Sequence, residues 1–244
     1  MNLQTLLRRF DAIIFFDTET SGLDALTHQI IELAAIRVER SENGIPKISD
    51  SMDYFVKLPE GEHLDQKITD LTGITDEILE REGTTPKETA DRFHQLIAST
   101  GRRILLAAQN AQFDLLFIRQ LLKGHRLGVE LEFLDTLTVY KDRAPYPHKL
   151  EDAIRHYKLE NKVKNSHRAI DDTCALLEVT KAMDAEREDL HTYINIFGYN
   201  PKYGVSGEKI SGVKYYPQRF HDAMTKEAET LPALFWAKCK GGRT

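Results

Sequence analysis

Cysteine is nearly missing from this 244-residue sequence, which has only Cys174 and Cys239. Two thiols build neither a disulfide framework nor a zinc cluster, so a reducing, cytoplasmic setting is expected. Long hydrophobic runs are missing as well. Ala12 to Phe16 is the longest early one, and it stops at Asp17, far short of the roughly 18 residues a membrane span needs. Arg8-Arg9 precedes that run as in a secretory leader, but five apolar residues are too few for a leader core. The reading is therefore no membrane and no leader. Internal repeats and low-complexity tracts are also absent. With 41% hydrophobic and 29% charged residues, collagen-like and wholly disordered chains are excluded and a real core is expected. Positive charge is in deficit, 33 Lys/Arg against 38 Asp/Glu for a net of −5, which weighs against gripping nucleic acid by charge alone.

The charge is uneven. Residues 141–168 hold eight Lys/Arg against four Asp/Glu, and residues 201–244 repeat that ratio. Two basic stretches of +4 thus interrupt an acidic body. Asp11 to Asp17 is a nearly continuous apolar run that suits a central strand. Gln29 to Val38 and Met52 to Leu58 follow as strands, with Asn43-Gly44 as a hairpin signal between them. Thr85-Pro86-Lys87-Glu88 supplies an N-cap, Pro at N1 and Glu at N3, predicting a helix through Ile97. Strands follow at Arg103 to Ala108 and Glu130 to Leu134, helices at Phe113 to Leu122 and about Arg168 to Glu188. Three strands followed by alternating strands and helices predict an α/β fold with a mixed sheet.

Acids embedded in these apolar patterns are the most informative residues. Asp17 and Glu19 lie one residue apart, so period two puts both carboxylates on one face at the strand's carboxyl end. Like charges that close repel unless a proton or a cation intervenes; a polar turn leaving the strand is the plainer alternative. Asp114 shares a helix face with Phe117, Ile118 and Leu121. It reads equally as a first-turn acid favoured by the helix dipole, with Asn110 as cap. Asp172 interrupts the core-facing stripe Ala169, Leu176, Val179 and Met183, and burying an unpartnered charge is costly. Asp171 is about 100° round that helix and reads as a flanking charge. His167 falls in the loop just ahead, near a cap at Ser166. Hard oxygen ligands suit Mg²⁺ or Mn²⁺, and two such ions can hold the attacking and leaving oxygens of a phosphodiester displacement. An imidazole can take the proton of the attacking water near neutral pH.

At these residues the sequence resembles the DnaQ-like, DEDDh-type 3′–5′ exonucleases, which include the polymerase III epsilon subunit and the PolC exonuclease domain. Phe16-Asp17-Thr18-Glu19-Thr20-Ser21-Gly22-Leu23 matches the first motif and Asn110-Ala111-Gln112-Phe113-Asp114 the second. His167-Arg168-Ala169-Ile170-Asp171-Asp172 matches the third, whose H-x4-D spacing selects Asp172. Leu71-Thr72-Gly73-Ile74 resembles the family's segment bordering the terminal nucleotide. Gln109 departs from the histidine that many members carry there. The resemblance covers roughly residues 10–185 and implies a ribonuclease H-like, five-stranded mixed sheet flanked by helices. It implies two Mg²⁺ or Mn²⁺ ions, with Asp17 on both, Glu19 and Asp172 on the nucleophile side and Asp114 on the other. His167 becomes the general base. Thr20 and Ser21 would offer backbone N–H groups to the scissile nucleotide, Leu23 and Ile74 would wedge against its base, and Asn110 and Phe113 join them as substrate contacts.

The expected organisation is an exonuclease domain over residues 1–188 and a C-terminal extension over 189–244, packed upon it. In that extension Tyr203, Tyr215, Tyr216, Phe220, Phe235 and Trp236 interleave with Lys202, Lys209, Lys214, Arg219, Lys238 and Lys240. They read as packing onto the body, as a single-strand grip, or as a docking surface. The 141–168 stretch reads as backbone contact or an ordinary exposed face. The expected substrate is the 3′ end of single-stranded DNA, favoured over RNA, releasing 5′-mononucleotides. RNA or oligoribonucleotide degradation and a polymerase-docking, non-catalytic subunit are the alternatives.

Overall fold

The computed structural model describes residues 3–99 and 101–218. The chain opens with a short helix, α1 (Gln4–Leu7), and three strands, β1 (Ala12–Thr20), β2 (Ile30–Arg40) and β3 (Pro46–Phe55). Helices α2 (Gln66–Thr72), α3 (Asp76–Glu82) and α4 (Pro86–Ala98) lead to β4 (Arg103–Ala108) and α5 (Ala111–Leu121). Then come β5 (Glu130–Asp135), α6 (Thr136–Lys141), α7 (Leu150–His156) and α8 (Ala169–Glu186). A two-stranded ribbon, β6 (Ile196–Tyr199) with β7 (Lys214–Pro217), ends the described part. No helix among the described residues is long and apolar enough to cross a membrane.

The main sheet has the order β3-β2-β1-β4-β5, antiparallel on the β3-β2-β1 side and parallel across β1-β4-β5. This is the predicted mixed α/β sheet of five strands. Alternate residues of β1 enter two cores, as a period of two requires. Ile13 and Phe15 pack beneath α1, α6, α7 and α8, while Ala12, Ile14 and Phe16 pack beneath α4 and α5. The capping box at Thr85 and Glu88 forms as predicted. Gly44, at φ 75° in the loop joining β2 to β3, takes the left-handed turn that its missing Cβ permits.

Two boundaries differ in a way that matters. β1 runs three residues past Asp17, because its antiparallel ladder with β2 continues to Thr20 opposite Ile30. β3 begins at Pro46, six residues before the prediction, since an edge strand with one wet face tolerates the exposed, mostly polar residues Lys47–Ser51. The short helices α2, α3, α6 and α7 were not foreseen, being too brief for a 3.6-residue period to show.

Candidate active site

β4 pairs with β1 only from Ala12 opposite Ile104 to Phe15 opposite Ala107. The last residues of β1 therefore project beyond β4, and the amino end of α5 enters beside them. Asp17 and Glu19 stand on the α8 side of this projection, continuing the Ile13-Phe15 face. Thr18 points the other way, toward α5, where its backbone N–H and hydroxyl donate to Asp114 Oδ1 at 3.2 and 2.6 Å. Asp114 is 3% exposed and Asp172 6%, so both acids that interrupt apolar helix faces are buried. Asp172 Oδ1 accepts from the Ser166 backbone N–H at 3.2 Å.

His167 is exposed, with φ 55°, immediately before α8. One donor atom each from Glu19, His167 and Asp172 lie within 4.8 Å of one another. Burial, then the charges of Asp114, Asp172 and Glu19, raise the Asp17 carboxyl well above its usual range. Burial and Asp172 push Glu19 up to about 8. Asp114 is pushed up to about 7 by burial, against the lowering effect of its Thr18 hydrogen bonds. Burial also raises Asp172. Four acids held this close resist ionising together, and divalent cations would relieve that strain. The donor set of carboxylates and one imidazole thus fits hard divalent ions.

Several expected contacts are corrected. Ile74 is 1% exposed, packed with Ile31 and Leu79, and so is walled off from any base. The Ser21 N–H is committed to the Gln29 carbonyl at 2.9 Å and its hydroxyl accepts from Gln29 N–H, because the β1–β2 turn closes there; it has no N–H left for a substrate. Asn110 does not cap α5 through its side chain: it adopts φ 62° and its N–H donates to Asp135. Ser166 lies ahead of the N-cap Arg168, its hydroxyl bonded to Asp171. Leu23, 85% exposed, and Phe113 do come together, lining one cleft with Leu26 and Leu116. Much of the 141–168 basic stretch is internally paired, Arg143 with Glu186 and Asp189 and Arg155 with Glu151 and Asp152. Arg219, Phe220, Phe235, Trp236, Lys238, Lys240 and Cys239 lie outside the described residues.

Two supporting acids escaped the sequence reading. Glu32 sits opposite Glu19 in the β1–β2 ladder with no exposure. It holds the Arg168 guanidinium in a fork, 2.8 to 3.2 Å, and accepts the Ala169 N–H at 3.0 Å, fixing the entry to α8 between His167 and Asp172. Its signal was a lone charge inside Ile30-Ile31-Glu32-Leu33-Ala34. Asp135, at the end of β5, takes the N–H groups of Asn110, Ala111 and Leu137 and the Thr138 hydroxyl.

The fold is a ribonuclease H-like mixed sheet, with an acid cluster at the carboxyl end of its central strand β1. The exonuclease family model of the RNase T type matches residues 14–180, and the chain belongs to that family, the DnaQ-like exonucleases. It is 31% identical over 175 residues to a PolC-type DNA polymerase III of Caldanaerobacter subterraneus and 32% over 191 residues to that of Halalkalibacterium halodurans. These alignments cover 68% and 75% of this chain but span only 11% and 12% of the polymerases. Ribonuclease T of Vibrio vulnificus is 30% identical over 122 residues, 47% of this chain and 56% of that one. Among solved structures, E. coli exonuclease I in complex with a dA16 oligonucleotide superposes with TM-score 0.62 at 19% identity, covering 75% of this chain and 42% of the other. Exonucleases of this kind use divalent metal ions.

Proposed function

We propose that the chain removes 5′-mononucleotides from the 3′ end of single-stranded DNA in a reaction requiring two Mg²⁺ or Mn²⁺ ions. The observation that carries this reading is the convergence of Asp17, Glu19, Asp114 and Asp172, from β1, α5 and α8, with His167 beside them. Asp17 would touch both ions, Glu19 and Asp172 the nucleophile-side ion and Asp114 the other. When bound, the ions supply positive charge for the scissile phosphate and for the attacking and leaving oxygens. His167, exposed beside the acids, accepts the proton of the attacking water. Thr18 keeps the Asp114 carboxylate turned toward the cluster. Leu23 and Phe113 flank the terminal base. Residues 1–188 form the catalytic unit in this reading, and the segment from 189 an extension of it.

DNA is preferred to RNA because the PolC-type relatives are DNA polymerases and the exonuclease I neighbour holds dA16. The ribonuclease T relative makes RNA the second reading, and the PolC likeness makes a replicative polymerase the candidate partner. The test is incubation of 5′-labelled DNA and RNA oligonucleotides with Mg²⁺ or Mn²⁺, with Asp114→Ala as control. A ladder shortening one nucleotide at a time from the 3′ end is expected with DNA, and none with the variant. No degradation of either polymer with either metal overturns the proposal. A His167→Ala rate equal to wild type would remove His167 from the base role.

A further inference from the structure

Beyond the acid cluster, a cleft of about 420 Å³ opens between the exonuclease body and the β6–β7 ribbon. That volume falls in the range of ordinary ligand sites, roughly 300–1,000 Å³. Asn110 forms part of its wall, about 6 Å along the α5 axis from Asp114 at 1.5 Å per residue. The cleft therefore borders the start of α5, the helix that carries Asp114. The body contributes Tyr146, 56% exposed, and Lys149, also exposed. The ribbon contributes Tyr199 and Asn200. One carboxylate, Asp135, lies in the lining, but its oxygens are taken by the hydrogen bonds that cap α5 and α6.

The ribbon wall is firmly placed. Asn195 exchanges two hydrogen bonds with Phe133 of β5, N–H to carbonyl at 2.8 Å and side chain to N–H at 2.8 Å. Gly198 donates to the Thr138 hydroxyl at 2.7 Å, and Gln218 donates to the Thr138 carbonyl and to Asp142. A Cβ on Gly198 would stand 1.7 Å from Gln218 Oε1, so glycine is what lets the Gln218 clamp close. On the far side Gln112 donates to the Ser206 and Glu208 carbonyls, and Tyr215 donates to Gln112. Phenol faces, side-chain amides and an ammonium at the mouth are the groups that recognise a base and a phosphate. Lys141 and Lys149, from the basic 141–168 stretch, both line the cleft, within a chain of net charge −5.

We propose that this cleft is a nucleotide subsite of the extension's making, holding a single-strand nucleotide upstream of the bond to be cut. Tyr199 lies against the base and Lys149 against its phosphate, with Asn110 and Asn200 at the base edges. The proposal rests on the exonuclease reading for the direction of the strand, but binding can be read without turnover. The full-length chain carrying Asp114→Asn is titrated, in Mg²⁺, into 5′-fluorescein dT10 and U10, with anisotropy as the readout. Tyr199→Ala in that background is expected to weaken binding about tenfold, as loss of one base stack does. Tyr199→Phe, which keeps the ring, is expected to retain the parent Kd. Lys149→Ala is expected to weaken binding and to lessen the salt slope by about 0.7, one single-strand phosphate contact. Equal losses with dT10 and U10 fit a site that reads stacking and phosphate; a loss with one alone also supports the site and names its polymer. Unchanged Kd for both alanine variants, with melting curves like the parent, overturns it. Release of mononucleotides by the unmutated chain is measured in parallel. Release with binding indifferent to Tyr199 and Lys149 sinks the subsite alone. Binding that depends on them without release sinks the exonuclease reading alone.

Discussion

Glu32 shows how one buried charge governs a site it does not enter. Its carboxylate has no exposure, while Arg168, which it grips, keeps 37% of its side chain in water. Removing one partner of a buried pair commonly costs about 3–5 kcal/mol. Here Arg168 can rehydrate, so Glu32→Ala should cost about 3 kcal/mol in urea unfolding, the low end of that range. Because Glu32 also accepts the Ala169 N–H, the turn that carries His167 loosens. Turnover should then fall at least about tenfold with KM little changed. A KM rise with full turnover would contradict this positioning role. At this scale the sequence was most legible where an acid broke an apolar pattern, as Asp114 and Asp172 do. Glu32 breaks one too, inside a strand read only for its apolar residues. Ile74 and Ser21 were misread because tertiary packing and a ladder hydrogen bond, neither visible locally, decide what each can reach.

Among the elements, α5 and α6 share one cap. Asp135 accepts from the first N–H groups of both helices and from Thr138, satisfying donors that helix starts otherwise leave unpaired. Each buried donor orphaned costs about 1–3 kcal/mol, so Asp135→Ala should destabilise by about 3 kcal/mol or more. It should also depress nucleotide release, since α5 carries Asp114. Thr85→Ala removes an ordinary capping box at α4, and should cost about 1 kcal/mol with release unchanged. Chemical denaturation and an oligonucleotide assay on both variants check the contrast. An equal loss of activity in both would mean that helix stability, not α5 placement, controls the site. The strands β1, β2, β4 and β5 and the helices α4, α5 and α8 were legible because each is a long or strongly patterned segment. The start of β3 was not, since an edge strand needs no apolar alternation. Nor was the β6–β7 ribbon, whose pairing depends on Asn195 docking to Phe133.

For the whole molecule, the net charge of −5 says less than where the acids stand. Burial raises Asp17, Glu19, Asp114 and Asp172, with repulsion from the other cluster acids adding to it at Asp17 and Glu19; Asp114 is pushed to about 7 and Glu19 to about 8. An unfolded chain ionises the same groups at about 4. Below that pH the cluster is protonated in both states and leaves stability untouched. As pH climbs, the unfolded chain sheds these protons while the folded one retains them, so folding stability falls. Asp114 and Glu19 drive this decline through pH 7 to 8, where they ionise in the folded protein. Divalent cations reverse the trend, because they bind the ionised, folded cluster and stabilise it by mass action. Metal-free protein in EDTA should therefore melt about 5 °C or more lower at pH 8 than at pH 5. Added Mn²⁺ should recover more of that loss at pH 8 than at pH 5, where protons compete for the same oxygens. The double variant Glu19→Gln, Asp114→Asn should flatten the metal-free profile and blunt the Mn²⁺ response. Scanning calorimetry across this pH range decides it: a metal-free profile that rises or stays level from pH 5 to 8 would mean the four carboxylates do not share one site.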